Sequence, residues 1–208
     1  MVKSSHFIGQ SMEADQVQFT DEEQKKINNW YEEVASRRNR LSVKKVKEVG
    51  FPLLHCAALV GRIEIVKRLI SEGFDPNARE QFLSGNALHY ATHEGQIDVI
   101  RHLVSVGVDM NAENYFAETP LHCAAYKGEI EIVKFFVSEG ANVNAIDSGG
   151  MTPLDEAVFS QSHIFDEENR KSWTKIIKYL ESIGAKSAQD IIKKERTFFD
   201  EQDTADDF

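Results

Sequence analysis

The sequence predicts an all-α fold, a solenoid of four helix–turn–helix repeats with a helical cap at each end. Three observations predict it. Four positions recur in phase. His55, His89 and His122 step by 34 and 33 residues, and Gly61/Gly95/Gly128, Gly73/Gly107/Gly140 and Asn77/Asn111/Asn144 keep the same steps. Between the glycines run apolar stripes near helical spacing, such as Ile130, Ile132, Val133, Phe136 and Val137. The flanking segments open on capping-box patterns, Thr20-Asp-Glu-Glu and Ser187-Ala-Gln-Asp. A fixed period of this length marks a repeat array, in which a unit buries its faces only against its neighbours.

Residues 1–19 are expected to be disordered. Residues 20–49 read as a degenerate N-terminal cap. Glu23 takes the N3 place of the box, and Ile27, Trp30, Tyr31 and Val34 fall at i, i+3, i+4 and i+7. A second short helix is expected to hold Val43 and Val46 and to end near Gly50. The competing reading of this segment is a separate partner-binding helix. The repeats occupy 50–185, in units of about 50–79, 80–112, 113–145 and 146–185.

Each unit reads as helix, tight turn, helix, loop. Leu121, Ala124 and Ala125 give the first helix a small-residue face that lets the next repeat approach closely. Gly128 can supply the positive φ that ends it. Gly140 ends the second helix, and Asn142-Val-Asn-Ala begins an extended loop. In the fourth unit, Gly140 and Gly184 are 44 residues apart rather than 33, so it carries an insertion of about 11 residues, expected near 160–172 between the two helices. Residues 186–200 read as a C-terminal cap helix, with Ala188, Ile191, Ile192, Phe198 and Phe199 in phase. Residues 201–208 form an acidic tail with no periodic apolar face.

The residues at the head of each unit carry a family resemblance. Thr119-Pro-Leu-His-Cys-Ala matches the T-P-L-H-x-A signature in full. Pro52-Leu-Leu-His-Cys-Ala, Asn86-Ala-Leu-His-Tyr-Ala and Met151-Thr-Pro-Leu-Asp-Glu-Ala match it in part. The pattern resembles the ankyrin repeat over residues 50–185, with Asp155 in place of the signature histidine in the fourth unit.

That resemblance implies that the signature histidines make structural hydrogen bonds between neighbouring loops. It also implies that a partner meets the loop tips and the exposed side of the first helices, which together form a concave groove. Carried onto this chain, the tip residues are Phe82, Leu83, Tyr115, Phe116, Glu118 and Met151, and the helix residues are Tyr90, His93, Tyr126, Lys127 and Phe159. Framework packing does not call for Phe82-Leu83 or Tyr115-Phe116 at adjacent tips. Apolar surface of that kind marks interaction sites, and aromatics are enriched among binding hot spots. The other reading is that these rings fold onto their own neighbouring tips.

Several function classes are disfavoured. A formal charge of −10 and a pI near 5.2 repel phosphate backbones, which argues against a nucleic-acid partner. No apolar run reaches the roughly 18 residues of a membrane span, and the first residues lack the apolar segment of a signal peptide. Cys56 and Cys123 are too few for a disulfide framework and sit two repeats apart at the same position, beyond bridging distance. No phosphate loop, nucleophile elbow or H-E-x-x-H motif occurs. His89 and His93 have the i, i+4 spacing of zinc ligands, but His89 holds the repeated signature position and no third ligand lies near in sequence.

The expectation is therefore a non-enzymatic protein–protein interaction module, an adaptor or an inhibitor, with no cofactor and no metal. It is expected to be a cytoplasmic monomer whose partner is another protein. The alternative is an effector of an intracellular bacterium acting on host proteins through the same surface, in the host cytoplasm. An enzyme with its site in the caps or the insertion is the third reading.

Overall fold

The computed structural model describes residues 19–26, 28, 29, 53–81, 83–163 and 167–193. The expectations for residues 1–18, for Ile27, Trp30, Tyr31, Val34, Val43 and Val46, for Phe82 and for 194–208 lie outside the described residues.

Every regular element among the described residues is helical. The repeats supply four pairs: α1 (Leu53–Leu59) with α2 (Ile63–Ser71), α3 (Ala87–His93) with α4 (Ile97–Ser105), α5 (Pro120–Lys127) with α6 (Ile130–Ser138), and α7 (Pro153–His163) with α8 (Glu167–Ser182). The first helices stack in the order α1, α3, α5, α7. Behind them α2 packs on α4, and α6 on α8. The fold is the all-α ankyrin-type solenoid that the repeat phase predicts.

The core lies between the two layers and obeys the stripes. Val66 and Leu69 of α2, Val99, Ile100 and Leu103 of α4, Ile132, Val133 and Phe136 of α6, and Ile176 and Leu180 of α8 are all buried. The alanines of the first helices, Ala57, Ala58, Ala91, Ala124, Ala125 and Ala157, are buried as well, except that Thr92 and Val158 replace the second of the pair in units two and four. Such small side chains let the first helices lie close. Truncating a leucine such as Leu121 in this stack is expected to cost about 2–5 kcal/mol.

The signature residues start each first helix. Thr119 N–H donates to His122 Nδ1 at 3.1 Å, and Pro120 occupies the first turn, where its missing N–H costs nothing. In unit two Asn86 does the same: its N–H donates to His89 Nδ1 at 3.2 Å and its Oδ1 accepts the His89 amide at 3.4 Å. Histidine thus stands where a capping box usually has glutamate. With Nδ1 accepting in His89 and His122, their Nε2 carries the hydrogen and donates across to the next unit, and His55 Nε2 makes the equivalent contact. His55 reaches Gly85 O at 3.2 Å, His89 reaches Glu118 O at 3.1 Å and His122 reaches Met151 O at 3.2 Å. Asp155 reverses the polarity at the last junction. Its Oδ2 accepts from Thr152 N–H, Thr152 Oγ1–H and Ala188 N–H at 3.0, 2.9 and 2.8 Å.

The in-phase asparagines form a second ladder. Asn77 Oδ1 accepts Asp109 N–H, Asn111 Oδ1 accepts Asn142 N–H and Asn144 Oδ1 accepts Lys186 N–H, at 2.8–3.0 Å. Each side chain closes a backbone donor in the loop of the following unit.

In the fourth unit the stretch near 160–172 is largely helical. α7 has 11 residues against 8 in α5, and α8 has 16 against 9 in α6. The added chain mostly lengthens the two helices, because continuing a helix satisfies its own backbone donors and acceptors whereas a loop must find partners for them. At the head of the stack, Thr20 and Glu23 make the predicted capping box, with Thr20 N–H to Glu23 Oε2 at 2.7 Å and Glu23 N–H to Thr20 Oγ1 at 3.3 Å. Glu23 also pairs with Arg62 at 2.9 Å, tying residues 21–26 to the turn before α2.

Candidate functional site

Two adjoining hollows run along the first helices beneath the loop tips. The smaller is lined by Leu83, Gly85, His89 and Tyr90 on one side and Asn114, Glu118 and Cys123 on the other, with His93 between. The larger holds about 170 Å³ and lies between α5 and α7, lined by His93, Glu118, His122, Cys123, Tyr126, Met151, Glu156 and Phe159. The two share His93, Glu118 and Cys123 and so form one groove along units two to four.

The tips above the groove are zipped together by backbone. Tyr115 N–H donates to Leu83 O, and Ser148 N–H donates to Phe116 O at 2.8 Å. Tyr115 and Phe116 pack edge to face, with ring centres 5.4 Å apart. Phe116 is half-buried, while Tyr115 remains 61% exposed. The tips therefore bear on each other through their backbones and leave one large ring in solvent.

The residues expected on the partner surface separate into groups. Glu118, His93, Tyr126, Met151 and Phe159 converge on the larger hollow. Tyr126 and Phe159 are 42% and 47% exposed and stand at equivalent positions of α5 and α7. Leu83 lines the smaller hollow. Lys127, in the last turn of α5, is half-buried and close enough to Glu94 to help hold that carboxyl down, after the His93 hydrogen bond that is the larger cause. Tyr90 also lines the smaller hollow, but it is only 3% exposed and packs edge-on against His55 with centres 5.3 Å apart. The small alanines of α3 and α5 draw the helices together and enclose it. Phe82 lies outside the described residues.

Sequence reasoning missed Glu156, which lines the larger hollow and is only 6% exposed. The repeat alignment held the signal, since Glu156 occupies in unit four the position of Cys56, Tyr90 and Cys123. The carboxylate oxygens of Glu118, Asp147 and Glu156 lie within 4.8 Å of one another. The groove floor in units three and four is therefore acidic and its walls aromatic.

The signature histidines are committed to the framework. Burial pushes His55 and His89 down to about 4, against the raising effect of the Gly85 and Glu118 carbonyls, and it lowers His122 as well. Both ring nitrogens of His89 are engaged, by Asn86 and Glu118. Burial pushes the Cys56 thiol up to about 12, far from the reactive range. Cys56 and Cys123 are both free thiols. Among the described residues no helix is long and apolar enough to cross a membrane.

Stacked helix pairs, histidine-to-carbonyl junctions and a groove under the tips define a class of protein, the helical repeat solenoid that offers a binding surface. The sequence model of the family described as Ankyrin repeats (3 copies) matches residues 34–114 and 88–167, together 134 of the 208 residues. The chain belongs to the ankyrin-repeat family, whose members are generally protein–protein interaction modules and typically not enzymes. No curated protein matches it.

Proposed function

We propose that the chain binds a partner protein through the groove of units two to four and the tips beside it, acting as an adaptor or an inhibitor in a reducing, cytosol-like compartment. The observation that carries this reading is the continuous groove along units two to four, walled in its larger part by Tyr126 and Phe159, together with the exposed Tyr115 on a loop tip. Rings presented on a rigid stack contribute large contact areas at small entropic cost. The signature histidines are engaged in the framework and the Cys56 thiol is buried, which supports a binding role over a catalytic one.

The test is paired. Affinity capture of a partner with the wild-type chain is compared with Tyr126→Ala/Phe159→Ala and with Tyr115→Ala, and thermal melting of each variant is recorded. Removing a central aromatic anchor costs about 2 kcal/mol or more of binding, roughly thirtyfold. Lost capture with melting preserved is the expected outcome. Capture that persists in all variants would move the binding surface off the groove.

A further inference from the structure

Resting on that reading of the groove, we propose that the larger hollow is a slot for an arginine side chain of the partner. The hollow is open, holds about 170 Å³ and is bounded by the exposed rings of Tyr126 and Phe159. One water needs only about 15 Å³ of such space, so the slot accepts the end of a long side chain. Its floor decides which one. Glu118 and Glu156 line it, and with Asp147 they bring three carboxylates within 4.8 Å. The hydrogen-bond partners of Glu118 and Asp147 among the described residues are neutral. Glu118 Oε2 accepts from Asn114 Nδ2 at 2.6 Å, and Asp147 Oδ1 accepts the Met151 amide at 2.8 Å. His122, facing the same hollow, has its basicity lowered by burial and supplies no cation at neutral pH.

A guanidinium fits this arrangement better than other cations. Its five N–H donors lie in one plane and can address oxygens from several carboxylates at once, while its faces stack on aromatic rings. An ammonium is a compact, strongly hydrated charge that makes less of flat aromatic walls. A calcium ion needs six to eight oxygens, and hydrogen bonds within the protein already occupy part of Glu118 and Asp147. The chain's charge of −10 steers a basic segment toward the groove over a longer range.

The experiment titrates N-acetyl-arginine amide, and separately its neutral isostere N-acetyl-citrulline amide, into the full ¹⁵N-labelled chain while amide shifts are followed. Arginine is expected to give a saturable response confined to residues around Glu118, Cys123, Tyr126 and Glu156, with citrulline at least roughly tenfold weaker. Glu156→Gln and Asp147→Asn should each weaken the arginine response by about tenfold. The Asp147 variant keeps the oxygen that accepts the Met151 amide, so it remains informative if Glu156→Gln does not fold.

Equal responses to arginine and citrulline, no saturable response, or variants that bind like the wild type would each overturn the slot. So would calcium chloride alone shifting the same amides at micromolar concentration, which would make the carboxylates a metal site. An absent arginine response with partner capture still dependent on Tyr126 and Phe159 overturns the slot and leaves the groove reading standing. An arginine response with capture indifferent to those rings overturns the groove reading and the partner's arginine with it.

Discussion

Units three and four perform the same structural task with opposite chemistry. In unit three His122 accepts at Nδ1 from its own cap and donates from Nε2 to the Met151 carbonyl of the next unit. In unit four Asp155 accepts from its own cap and accepts again from the Ala188 amide. The next element explains the difference. After units one to three comes another loop tip, which presents a carbonyl to be satisfied. After unit four comes the helical segment at 188–193, whose first amides have no partners within it and need an acceptor. One position can hold either residue because the backbone geometry repeats while the polarity of the neighbour does not.

The turn glycines carry the comparison further. A Cβ on Gly61, Gly95 or Gly128 would meet Gln96, Glu129 or Trp173, the side chain that precedes or lies within the next unit's second helix. Gln96 Nε2 donates to Leu59 O at 3.4 Å, and Trp173 Nε1 donates to Tyr126 O at 3.1 Å. The longer α8 keeps that junction while replacing an amide with an indole.

The largest way to test the contrast is pH. His55 and His89 are held at about 4 by burial, below the ordinary 6.5, so the unfolded chain binds more protons than the folded one between those values. Stability is full above pH 6.5 and falls as the pH drops toward 4. The loss is about 3 kcal/mol for each histidine, with His122 adding in the same direction. Urea denaturation at pH 7.5 and 4.5 measures it, and a flat profile through this window would mean that the rings are accessible to protons in the fold.

A polarity swap comes next. His122→Asp sets a carboxylate against the Met151 carbonyl, at a loss of about 3 kcal/mol or more. Asp155→His sets a ring donor against the Ala188 amide and should lose about 2 kcal/mol. Denaturant midpoints measure both, and tolerance of either swap within about 0.5 kcal/mol would show that the junctions do not depend on polarity.

The glycine pair sharpens the picture at smaller scale. Gly128 has φ 79° and Trp173 Cζ2 at 2.9 Å from the site of a Cβ, whereas Gly140 has φ 89° and open space. Gly140→Ala should lose about 1 kcal/mol for its left-handed backbone alone. Gly128→Ala should lose about 2–3 kcal/mol, since it also displaces the indole. Equal losses would mean that Trp173 moves aside freely. The smallest effect is expected at the tip: Tyr115→Ala should change stability by no more than about 0.5 kcal/mol, because its ring is mostly in solvent. A larger loss would make Tyr115 part of the framework.

The sequence by itself determined the fold class, because each repeated residue answers a demand that recurs with the backbone. The histidines, asparagines and turn glycines stand in phase because every unit presents the next with the same donors, acceptors and close approaches. The alanines and the stripes follow from how near two helices must lie. The groove was only partly legible. Tyr126, Phe159 and Glu118 could be placed only through the family resemblance, and that Tyr90 is almost wholly enclosed was not legible at all, because burial depends on what packs above a residue. Glu156 went unnoticed beside Asp155, and its meeting with Glu118 and Asp147 joins residues 38 and 9 positions away. Whether unit four's extra residues make a loop or longer helices was likewise decided in three dimensions, where α8 could lay Trp173 over Gly128. Periodicity encodes what each unit shares with its neighbours; contacts made only once, between residues far apart in the chain, leave no period to read.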